Sequence, residues 1–277
     1  MPITVEELDE LARELARLHR ELVTLSPQKR FHLVSKSTTI ADVELEAAFG
    51  EAVQQRLGKD TQIIGEEAVS SDRVVRTGGS ATLYLDAIDG TRLFVEGRSD
   101  YACTFALEEA GRLVGGCVYL PGTDERFIAR PGESVLYRNG RPVALDRRFR
   151  NRRAAVRERD FTDPRDLRRQ LEKAHFVVFG LGSTARRLCE VANWDLAGFS
   201  KSVGFTNGTP RLWGIAGGLV LCEAAGHKFW FDPDTRVMAN GRAELVETIA
   251  SVAAPGLCEG SLDALWQRMG STMEAAG

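Results

Sequence analysis

The feature that most constrains the fold is a largely apolar stretch, residues 81–85, that runs into Asp86, Asp89 and then Gly90. An apolar run of this length, rich in strand formers and bounded by turn residues, predicts a buried strand. A buried strand that ends in Asp-x-x-Asp is costly unless something cancels the two charges. Hard divalent ions such as Mg²⁺ prefer carboxylate, carbonyl and water oxygens. The stretch therefore suggests a metal site, and solvated turn residues are the alternative.

Length and composition indicate a globular protein. The chain has 277 residues and a net charge of −3, so nothing global points to nucleic acid or to an anionic membrane. The five cysteines are widely spaced, which excludes a Cys-x-x-Cys motif and favours reduced thiols. The sequence shows no basic-then-apolar leader and no apolar run long enough to span a bilayer. We therefore expect a cytoplasmic protein with no membrane partner.

The first part of the chain predicts helices followed by strands. Thr4 and Glu7 form a capping box ahead of leucines at three- and four-residue spacing, which predicts an amphipathic helix. A second helix is expected from near Ala41 to a stop at Gly58. Short strands are expected over residues 62–64, 81–85, 101–107, 113–119, 125–129 and 135–137, with a hairpin signal at Asn139-Gly140. We expect an α+β half, residues 1–145.

The remainder, residues 146–277, predicts an α/β half that completes one integrated catalytic unit with the first. Strands and helices alternate from His175 onward, which is typical of this class. The expected elements are strands over 176–179 and 229–231 and helices over 184–192, 213–225 and 243–252. Residues 147–169 contain ten arginines. We interpret them as a solvated connector plus helix, because no aromatic residues interleave to stack bases, and we expect no nucleic-acid partner.

Acids and hydroxyls recur where predicted strands or loops end. The positions are Asp42, Glu66 with Glu67, and the group Asp86, Asp89 and Thr91. Such a cluster is typical of a Mg²⁺ site that meets a substrate phosphate, where the metal lowers the pKa of a bound water and polarises the phosphoryl group. Thr91 can orient the attacking water if Asp42 holds its hydroxyl. Simple helix capping is the alternative role of Asp42.

A phosphatase of the haloacid dehalogenase type also ends a strand in Asp and Thr. That chemistry requires Asp-x-Asp, with the nucleophile and the acid two residues apart. The spacing here is Asp-x-x-Asp, and it follows about 80 residues of chain instead of standing near the start. The spacing therefore excludes this class.

The segment Asp86–Thr91, Asp-Ala-Ile-Asp-Gly-Thr, resembles the Asp-Pro-Ile/Leu-Asp-Gly-Thr signature of the inositol monophosphatase family. These Mg²⁺-dependent, lithium-sensitive phosphatases include histidinol-phosphate phosphatases and 3′(2′),5′-bisphosphate nucleotidases. Three further segments are similar to family motifs in the same order: residues 36–42, 64–67 and 182–192. The resemblance implies a layered αβαβα sandwich, a small phosphorylated substrate and a homodimer.

The resemblance also implies roles for particular residues. A first Mg²⁺ would be held by Glu66, Asp86 and the Ile88 carbonyl, and a second by Asp86 and Asp89. The catalytic residues would be Asp42, Thr91 and Glu66. The phosphate would be bound by the backbone amides of Gly90 and Thr91, and the rest of the substrate would be approached by Gly182, Ser183 and Thr184.

The chain departs from the family at its second signature, Trp-Asp-x-Ala-Ala/Gly-Gly ahead of an apolar helix ending in Glu-Ala-Gly-Gly. That Asp would bind the second metal. The best match is the segment 212–217 leading to Glu223, which puts Trp213 at the Asp position without a gap, or Gly214 with one deletion. Asp195 stands in a similar string but continues the preceding helix, so we set it aside. We expect one Mg²⁺ to bind well and a second less well.

Two smaller departures concern the turn at Ala87 and the substrate. Ala87 replaces the usual proline, and residues 200–202, Ser-Lys-Ser, stand where the family commonly has a substrate-binding acid, which argues against plain inositol phosphate. The leading hypothesis is a Mg²⁺-dependent phosphatase that hydrolyses a small phosphate monoester by a metal-activated water. The alternatives are a degenerate member that binds a phosphorylated ligand without turnover, a bisphosphate nucleotidase or a histidinol-phosphate phosphatase. The retained Asp42 and Thr91 favour activity.

Overall fold

A computed structural model describes residues 3–24, 31–34, 38–67, 81–143, 151–157, 167–173, 175–196, 200–206, 211–232, 237–241 and 258–274. The helices in these ranges are α1 (Val5–Val23), α2 (Ile40–Leu57), α3 (Thr91–Val95), α4 (Leu167–Lys173), α5 (Thr184–Leu196), α6 (Leu212–Ala224) and α7 (Leu262–Glu274). The strands are β1 (Gln62–Gly65), β2 (Thr82–Asp89), β3 (Ala102–Glu109), β4 (Arg112–Leu120), β5 (Glu125–Ala129), β6 (Leu136–Arg138), β7 (Arg141–Pro142), β8 (Asn151–Arg157), β9 (Val177–Leu181), β10 (Ser200–Thr206), β11 (Lys228–Asp232), β12 (Val237–Gly241) and β13 (Cys258–Gly260).

The first sheet joins β1 to β7 in chain order. Strands β1 and β2 are parallel, and each later pair is antiparallel. The turn between β6 and β7 is Asn139-Gly140, whose φ angles of 51° and 75° are those a tight hairpin turn needs. The register between β2 and β3 shifts between Asp86 and Asp89. This irregularity bends β2 where its two aspartates lie.

Both faces of the first sheet are buried, because successive side chains of β2 enter different cores. Leu83 and Leu85 pack with residues of α1 and α2, whereas Tyr84 packs with residues of α5 and α6. Burial on both faces explains why β2 is almost continuously apolar. The strand thus delivers Asp86 and Asp89 into the interior of the molecule.

The helices form layers on either side of the sheets. On one face of the first sheet, α1 contacts β4 and β5, and α2 contacts β2. On the other face α6 packs against the first sheet, while α5 packs against α6 and against β8 and β10 of the second sheet. The prediction of a layered sandwich is confirmed. In the described part of the chain, no helix combines the length and apolar character needed to cross a membrane.

The second sheet has the strand order β13-β11-β12-β10-β8-β9. Residues 147–169 were interpreted above as a solvated connector plus helix. The second sheet corrects this interpretation, because residues 151–157 form β8. This strand lies between two parallel neighbours, β9 and β10, and Ala154, Ala155 and Val156 are fully buried. A central parallel strand shows a short apolar run instead of an alternating pattern. The flanking arginines concealed that run in the sequence.

In the second half, two of the predicted helices are present, and the structure contains further elements that the sequence did not predict. The helix predicted over 184–192 extends to Leu196, and the helix predicted over 213–225 is α6. The sequence did not predict β10, β12, β13 or α7. The helix expected over 243–252 lies outside the described residues. The division of the chain near residue 145 stays a prediction, although each sheet draws its strands from one side of it.

Candidate active site

Glu66, which follows β1, lies close to the two aspartates in the last part of β2, because the two strands are parallel neighbours. Their carboxyl ends therefore meet at one edge of the sheet, which brings Glu66 near Asp86 and Asp89. Burial raises the pKa of Glu66, and repulsion from Asp89 raises it further. Burial, with repulsion from Asp89 and Glu66, raises the pKa of Asp86 well above its usual range. The three predicted carboxylate ligands thus share one electrostatic environment.

The turn after β2 requires glycine. Gly90 has a φ of 101° and a ψ of 42°, in the left-handed region that favours glycine. A Cβ at this position would lie 3.1 Å from Leu93 Cδ1 and 3.5 Å from the Cβ of Ser183. Gly90 therefore lets the start of α3 approach the segment before α5, and Thr91 is the first residue of α3.

Asp42 has both of the roles considered from the sequence. Its Oδ2 accepts hydrogen bonds from the Thr39 backbone N–H at 2.7 Å and from Thr39 Oγ1 at 2.5 Å, which caps α2. Its Oδ1 accepts a hydrogen bond from Thr91 Oγ1 at 3.1 Å. The same hydroxyl lies 3.2 Å from the Ile88 carbonyl oxygen. Burial raises the pKa of Asp42, and the hydrogen bonds from Thr39 and Thr91 oppose that rise.

Asp89 joins the first sheet to the start of α5. Its Oδ2 accepts a hydrogen bond from Ser183 Oγ at 2.7 Å and one from the Ala185 backbone N–H at 2.5 Å. Of the three residues expected to approach the substrate, Ser183 thus contacts a site carboxylate directly. Gly182 permits the close packing of this segment, since a Cβ there would lie 2.7 Å from Leu93 Cδ1. Thr184 is the first residue of α5.

Glu46 is a buried site residue that the sequence analysis missed. Its Oε2 accepts a hydrogen bond from the Glu67 backbone N–H at 3.0 Å. A Cβ on Gly65 would lie only 2.2 Å from Glu46 Cδ, so the glycine makes room for this carboxylate. Glu46 therefore fixes the turn that carries Glu66. Its position, four residues after Asp42 on one face of α2, is the signal that was available.

Arg187 is a second missed residue. It lies in the first turn of α5 and is 2% exposed. Its Nη1 donates to the Leu181 carbonyl at 2.7 Å, and its Nη2 donates to Thr184 Oγ1 at 2.9 Å. Burial raises the pKa of Asp89, and the bonds from Ser183 and Ala185 and the charge of Arg187 oppose the rise.

The structure distinguishes the two candidates for the missing carboxylate. A Cβ at Gly214 would lie 3.3 Å from Asp86 Oδ2, so this residue faces the carboxylate of a predicted metal ligand. The Trp213 side chain instead forms a hydrogen bond with Glu66, which opposes the raised pKa of that acid. Asp195 lies within α5, so that segment continues the helix as expected. The chain therefore presents a glycine where the signature would place an aspartate.

A cavity of about 460 Å³ opens at this site. Its lining residues are Leu33, Glu66, Asp89, Gly90, Thr91, Arg92, Val95 and Glu96. It therefore contains two of the predicted metal ligands and both residues predicted to bind phosphate. Its size suits a small organic ligand.

The donor set suits a hard cation. Glu66, Asp86 and Asp89 offer only oxygen, and a cation between them would offset the burial and the mutual repulsion that raise the pKa values of Glu66 and Asp86. Within the described ranges, however, no three His, Cys, Asp or Glu side chains are grouped so that they can hold a metal ion as they stand. Binding therefore requires these side chains to rotate toward one another.

Comparison with known proteins assigns the class. Sequence comparison places the chain among phosphoric monoester hydrolases. The model of the inositol monophosphatase family matches residues 4–266, so the chain belongs to that family. The resemblance drawn from the motifs is thereby confirmed.

Relatives in sequence agree with the assignment, and solved structures agree in fold. The chain is 31% identical over 171 residues to inositol-1-monophosphatase of Rhizobium meliloti (strain 1021), a match spanning 59% of this chain and 60% of that protein. It is 27% identical over 241 residues to inositol monophosphatase 3 of Solanum lycopersicum, a match that spans 83% of this chain and 87% of that protein. The structure is similar to that of the Thermotoga maritima IMPase, with a TM-score of 0.71 at 21% sequence identity. The match covers 90% of this chain and 96% of that one. The structure is also similar to that of SaIMPase-II with bound inositol monophosphate. The TM-score is 0.68 at 20% sequence identity, and the match covers 95% of this chain and 96% of that one.

Proposed function

We propose that this chain hydrolyses a small phosphate monoester with the help of Mg²⁺ at the site that Glu66, Asp86 and Asp89 form. The observation that carries the proposal is the hydrogen bond from Thr91 Oγ1 to Asp42 Oδ1 at the rim of this acidic cluster. It joins a hydroxyl that lines the cavity to a buried carboxylate that can receive a proton. Such a relay is typical of general base chemistry on water.

The metal ligands in this proposal are Glu66, Asp86, Asp89 and the Ile88 carbonyl. When bound, Mg²⁺ would polarise the phosphoryl group, favour ionisation of a water and neutralise the leaving oxygen. The carbonyl of Ile88 lies 3.2 Å from Thr91 Oγ1, which supports a shared site for the ion and the hydroxyl. Glu46 would hold the turn that carries Glu66 in place through its bond to the Glu67 amide.

Thr91 and Asp42 would orient the attacking water. The hydroxyl of Thr91 donates to Asp42 Oδ1, so its lone pairs remain to accept a hydrogen bond from water. As the water attacks, its proton would pass to Thr91 Oγ1 while the threonine proton passes to Asp42 Oδ1. Burial raises the pKa of Asp42, which favours its acceptance of that proton.

The substrate would be an ester of a polyol or a nucleoside. The backbone amides of Gly90 and Thr91 would hold the phosphate, and Gly182, Ser183 and Thr184 would approach the alcohol group. Two solved structures of the similar SaIMPase-II carry inositol monophosphate and 2′-AMP, which supports phosphate monoesters of this size. Histidinol phosphate and 3′,5′-bisphosphonucleotides are the other candidates. The homodimer and the cytoplasmic location stay predictions.

A phosphate-release screen tests the proposal. The panel contains inositol phosphates, histidinol phosphate, sugar phosphates, 2′-AMP and 3′,5′-bisphosphonucleotides at varied Mg²⁺. We expect release from at least one ester and its loss in Asp89→Asn. Asp263→Asn is the matched control, because Asp263 is an exposed acid on α7. Absence of release from every ester at millimolar Mg²⁺ would instead favour a protein that binds a phosphorylated ligand without turnover.

A further inference from the structure

Leu33 is an exposed leucine at the candidate active site. Its side chain is 52% exposed, although an apolar side chain gains free energy when it leaves water. Single apolar residues are common on protein surfaces, and exposure alone indicates no function. Leu33 differs because it lines the same cavity as Asp89, Gly90 and Thr91. A ligand in this cavity can therefore cover the leucine.

The segment that carries Leu33, residues 31–34, is hydrogen-bonded to the start of α2. The Val34 backbone N–H donates to the Thr38 carbonyl at 2.8 Å, as in an antiparallel pair of strands. The Ile40 N–H donates to the His32 carbonyl at 3.0 Å. Ile40 is the first residue of α2, the helix that carries the proposed proton acceptor. The backbone of Leu33 is thus fixed to one of the two helices that build the site.

The same segment contacts the other helix of the site, α3. The rings of Phe31 and Phe94 lie 5.1 Å apart between centroids, at an interplanar angle of 64°. Phe94 is 4% exposed and lies in α3, which begins at Thr91. The segment is therefore held against both helices. It follows that Leu33 has a set position at the cavity.

The cavity offers mainly apolar surface to the part of a substrate beyond the phosphate. Four of its described lining residues have proposed roles in binding metal or phosphate: Glu66, Asp89, Gly90 and Thr91. Arg92 Nη1 donates to Glu96 Oε1 at 2.8 Å, so these two polar side chains bond to each other. Ser183, a further residue expected near the substrate, is fully buried and donates its hydroxyl to Asp89. Among the described lining residues, this leaves Leu33 and Val95.

We propose that Leu33, together with Val95, forms an apolar subsite for the alcohol part of the substrate. This chain then prefers phosphate monoesters whose alcohol has an apolar or aromatic face over phosphate esters of polyols. An apolar face that covers Leu33 leaves water together with it, which is favourable. A polyol at the same place would lose hydrogen bonds to water without gaining others. The inference rests on the proposed function and narrows its substrate class.

Two esters that differ only in their ring hydroxyls test the inference, namely cyclohexyl phosphate and inositol 1-phosphate. Both are phosphates of a secondary alcohol on a six-membered ring. We expect the wild type to have the lower KM for cyclohexyl phosphate. In Leu33→Ala, the KM for cyclohexyl phosphate should rise about tenfold with kcat little changed, because contact with the bound alcohol is lost. The KM for inositol 1-phosphate should change less than about twofold.

Two further variants are the controls. Val34→Ala removes a neighbouring apolar side chain that is 60% exposed and is not part of the cavity lining, so it should keep the wild-type KM for both esters. Leu33→Met keeps an apolar side chain and should retain most of the preference for cyclohexyl phosphate. A merely structural role of Leu33 would instead change the KM of both esters alike in Leu33→Ala.

Binding of cyclohexylphosphonate, which is not hydrolysed, separates the inference from the proposed function. It is measured by isothermal titration calorimetry with Mg²⁺ present. Phosphate release without a preference for cyclohexyl phosphate, or with equal changes for both esters in Leu33→Ala, would overturn the inference and leave the proposed function standing. If neither ester is hydrolysed but the phosphonate binds more weakly to Leu33→Ala than to the wild type, the subsite stands and turnover is excluded. Without release, phosphonate binding that is absent or unchanged in Leu33→Ala would overturn both.

Discussion

Thr91 and Asp42 are joined by a hydrogen bond of 3.1 Å from the threonine Oγ1 to the aspartate Oδ1, while the second oxygen of Asp42 caps α2 through Thr39. One buried carboxylate therefore links the helix start to the turn after β2. A change at Asp42 affects the stability of α2 and the orientation of the Thr91 hydroxyl together. The two effects can be separated, because they use different oxygens.

Replacing Asp42 by Asn should reduce both stability and activity. The amide nitrogen cannot accept the hydrogen bonds from Thr39, which costs about 1 kcal/mol. The amide is also a poor proton acceptor, so kcat should fall at least about 100-fold. Thr39→Ala is the matched control, since it removes the two hydrogen bonds that Thr39 Oγ1 makes with Asp42 and leaves the bond between Asp42 and Thr91. Equal losses of kcat in the two variants would contradict the catalytic role.

Removing the Thr91 hydroxyl should affect kcat more than KM. Thr91→Val keeps the shape of the side chain and loses the hydroxyl that contacts Asp42 and Ile88. We expect kcat to fall on the order of 100-fold with KM changed less than about threefold. Thr91→Ser should restore most of the rate. A Thr91→Val enzyme with an undiminished kcat would exclude this hydroxyl from the reaction.

Gly65→Ala should show how closely Glu46 supports the turn that carries Glu66. The new methyl would take the space of the Glu46 carboxyl group, at 2.2 Å from its Cδ, so Glu46 must rotate away and lose its bond to the Glu67 amide. We expect a loss of about 1–2 kcal/mol in the free energy of unfolding and reduced activity.

Gly50→Ala is the control for this substitution. Gly50 lies inside α2, and its nearest side-chain atom to a new Cβ is Ile63 Cγ1 at 3.5 Å, an ordinary contact. This variant should be as stable as the wild type or up to about 1 kcal/mol more stable, because alanine favours a helix. Urea unfolding and phosphate release are measured for both. If the two variants behave alike, Glu46 does not position the turn.

The stability of the ion-free chain should fall as pH rises from about 4.5 to about 7. Burial, with repulsion from Asp42, raises the pKa of Glu67 from 4.5 to about 7. Over that window the folded chain binds more protons than the unfolded chain, so raising the pH favours unfolding. The raised pKa values of Glu66, Asp86 and Asp89 act in the same direction.

Mg²⁺ should counteract this fall, because it binds the deprotonated carboxylates. We expect the increase of Tm on adding Mg²⁺ to be larger at pH 7.5 than at pH 5, as measured by differential scanning fluorimetry. Glu67→Gln should flatten the pH dependence of Tm without Mg²⁺. If the Tm of the ion-free wild type instead rises with pH, the pKa values of the site acids are not raised in the folded chain, and the prediction is wrong.

The local sequence was enough to predict those parts of the site that are formed by residues close together in the chain. The strand ending in Asp86 and Asp89, the turn at Gly90 and the capping box of Thr4 and Glu7 all follow from periodicity and turn chemistry. The proximity of Glu66 required one further step, namely that β1 and β2 are parallel neighbours.

The remainder depends on contacts between distant segments. An adjacent pair of arginines in α5 looks like a solvated helix face, and only tertiary packing shows that Arg187 is buried. The arginines around β8 similarly concealed a central strand. Sequence alone could not decide whether Trp213 or Gly214 stands at the position of the signature aspartate, because the answer depended on whether the alignment contains a deletion. The geometry around Asp86 made that choice.

The central claim is that the carboxylates at the end of β2 support Mg²⁺-dependent hydrolysis of a phosphate monoester. The most direct measurement is the rate of phosphate release against Mg²⁺ concentration, for the wild type and for Asp86→Asn, with folding checked by circular dichroism. We predict a saturable dependence on Mg²⁺ in the wild type, abolished by EDTA, and a rate at least about 100-fold lower in Asp86→Asn. Release that persists in EDTA, or an Asp86→Asn enzyme with the wild-type rate, would contradict the claim.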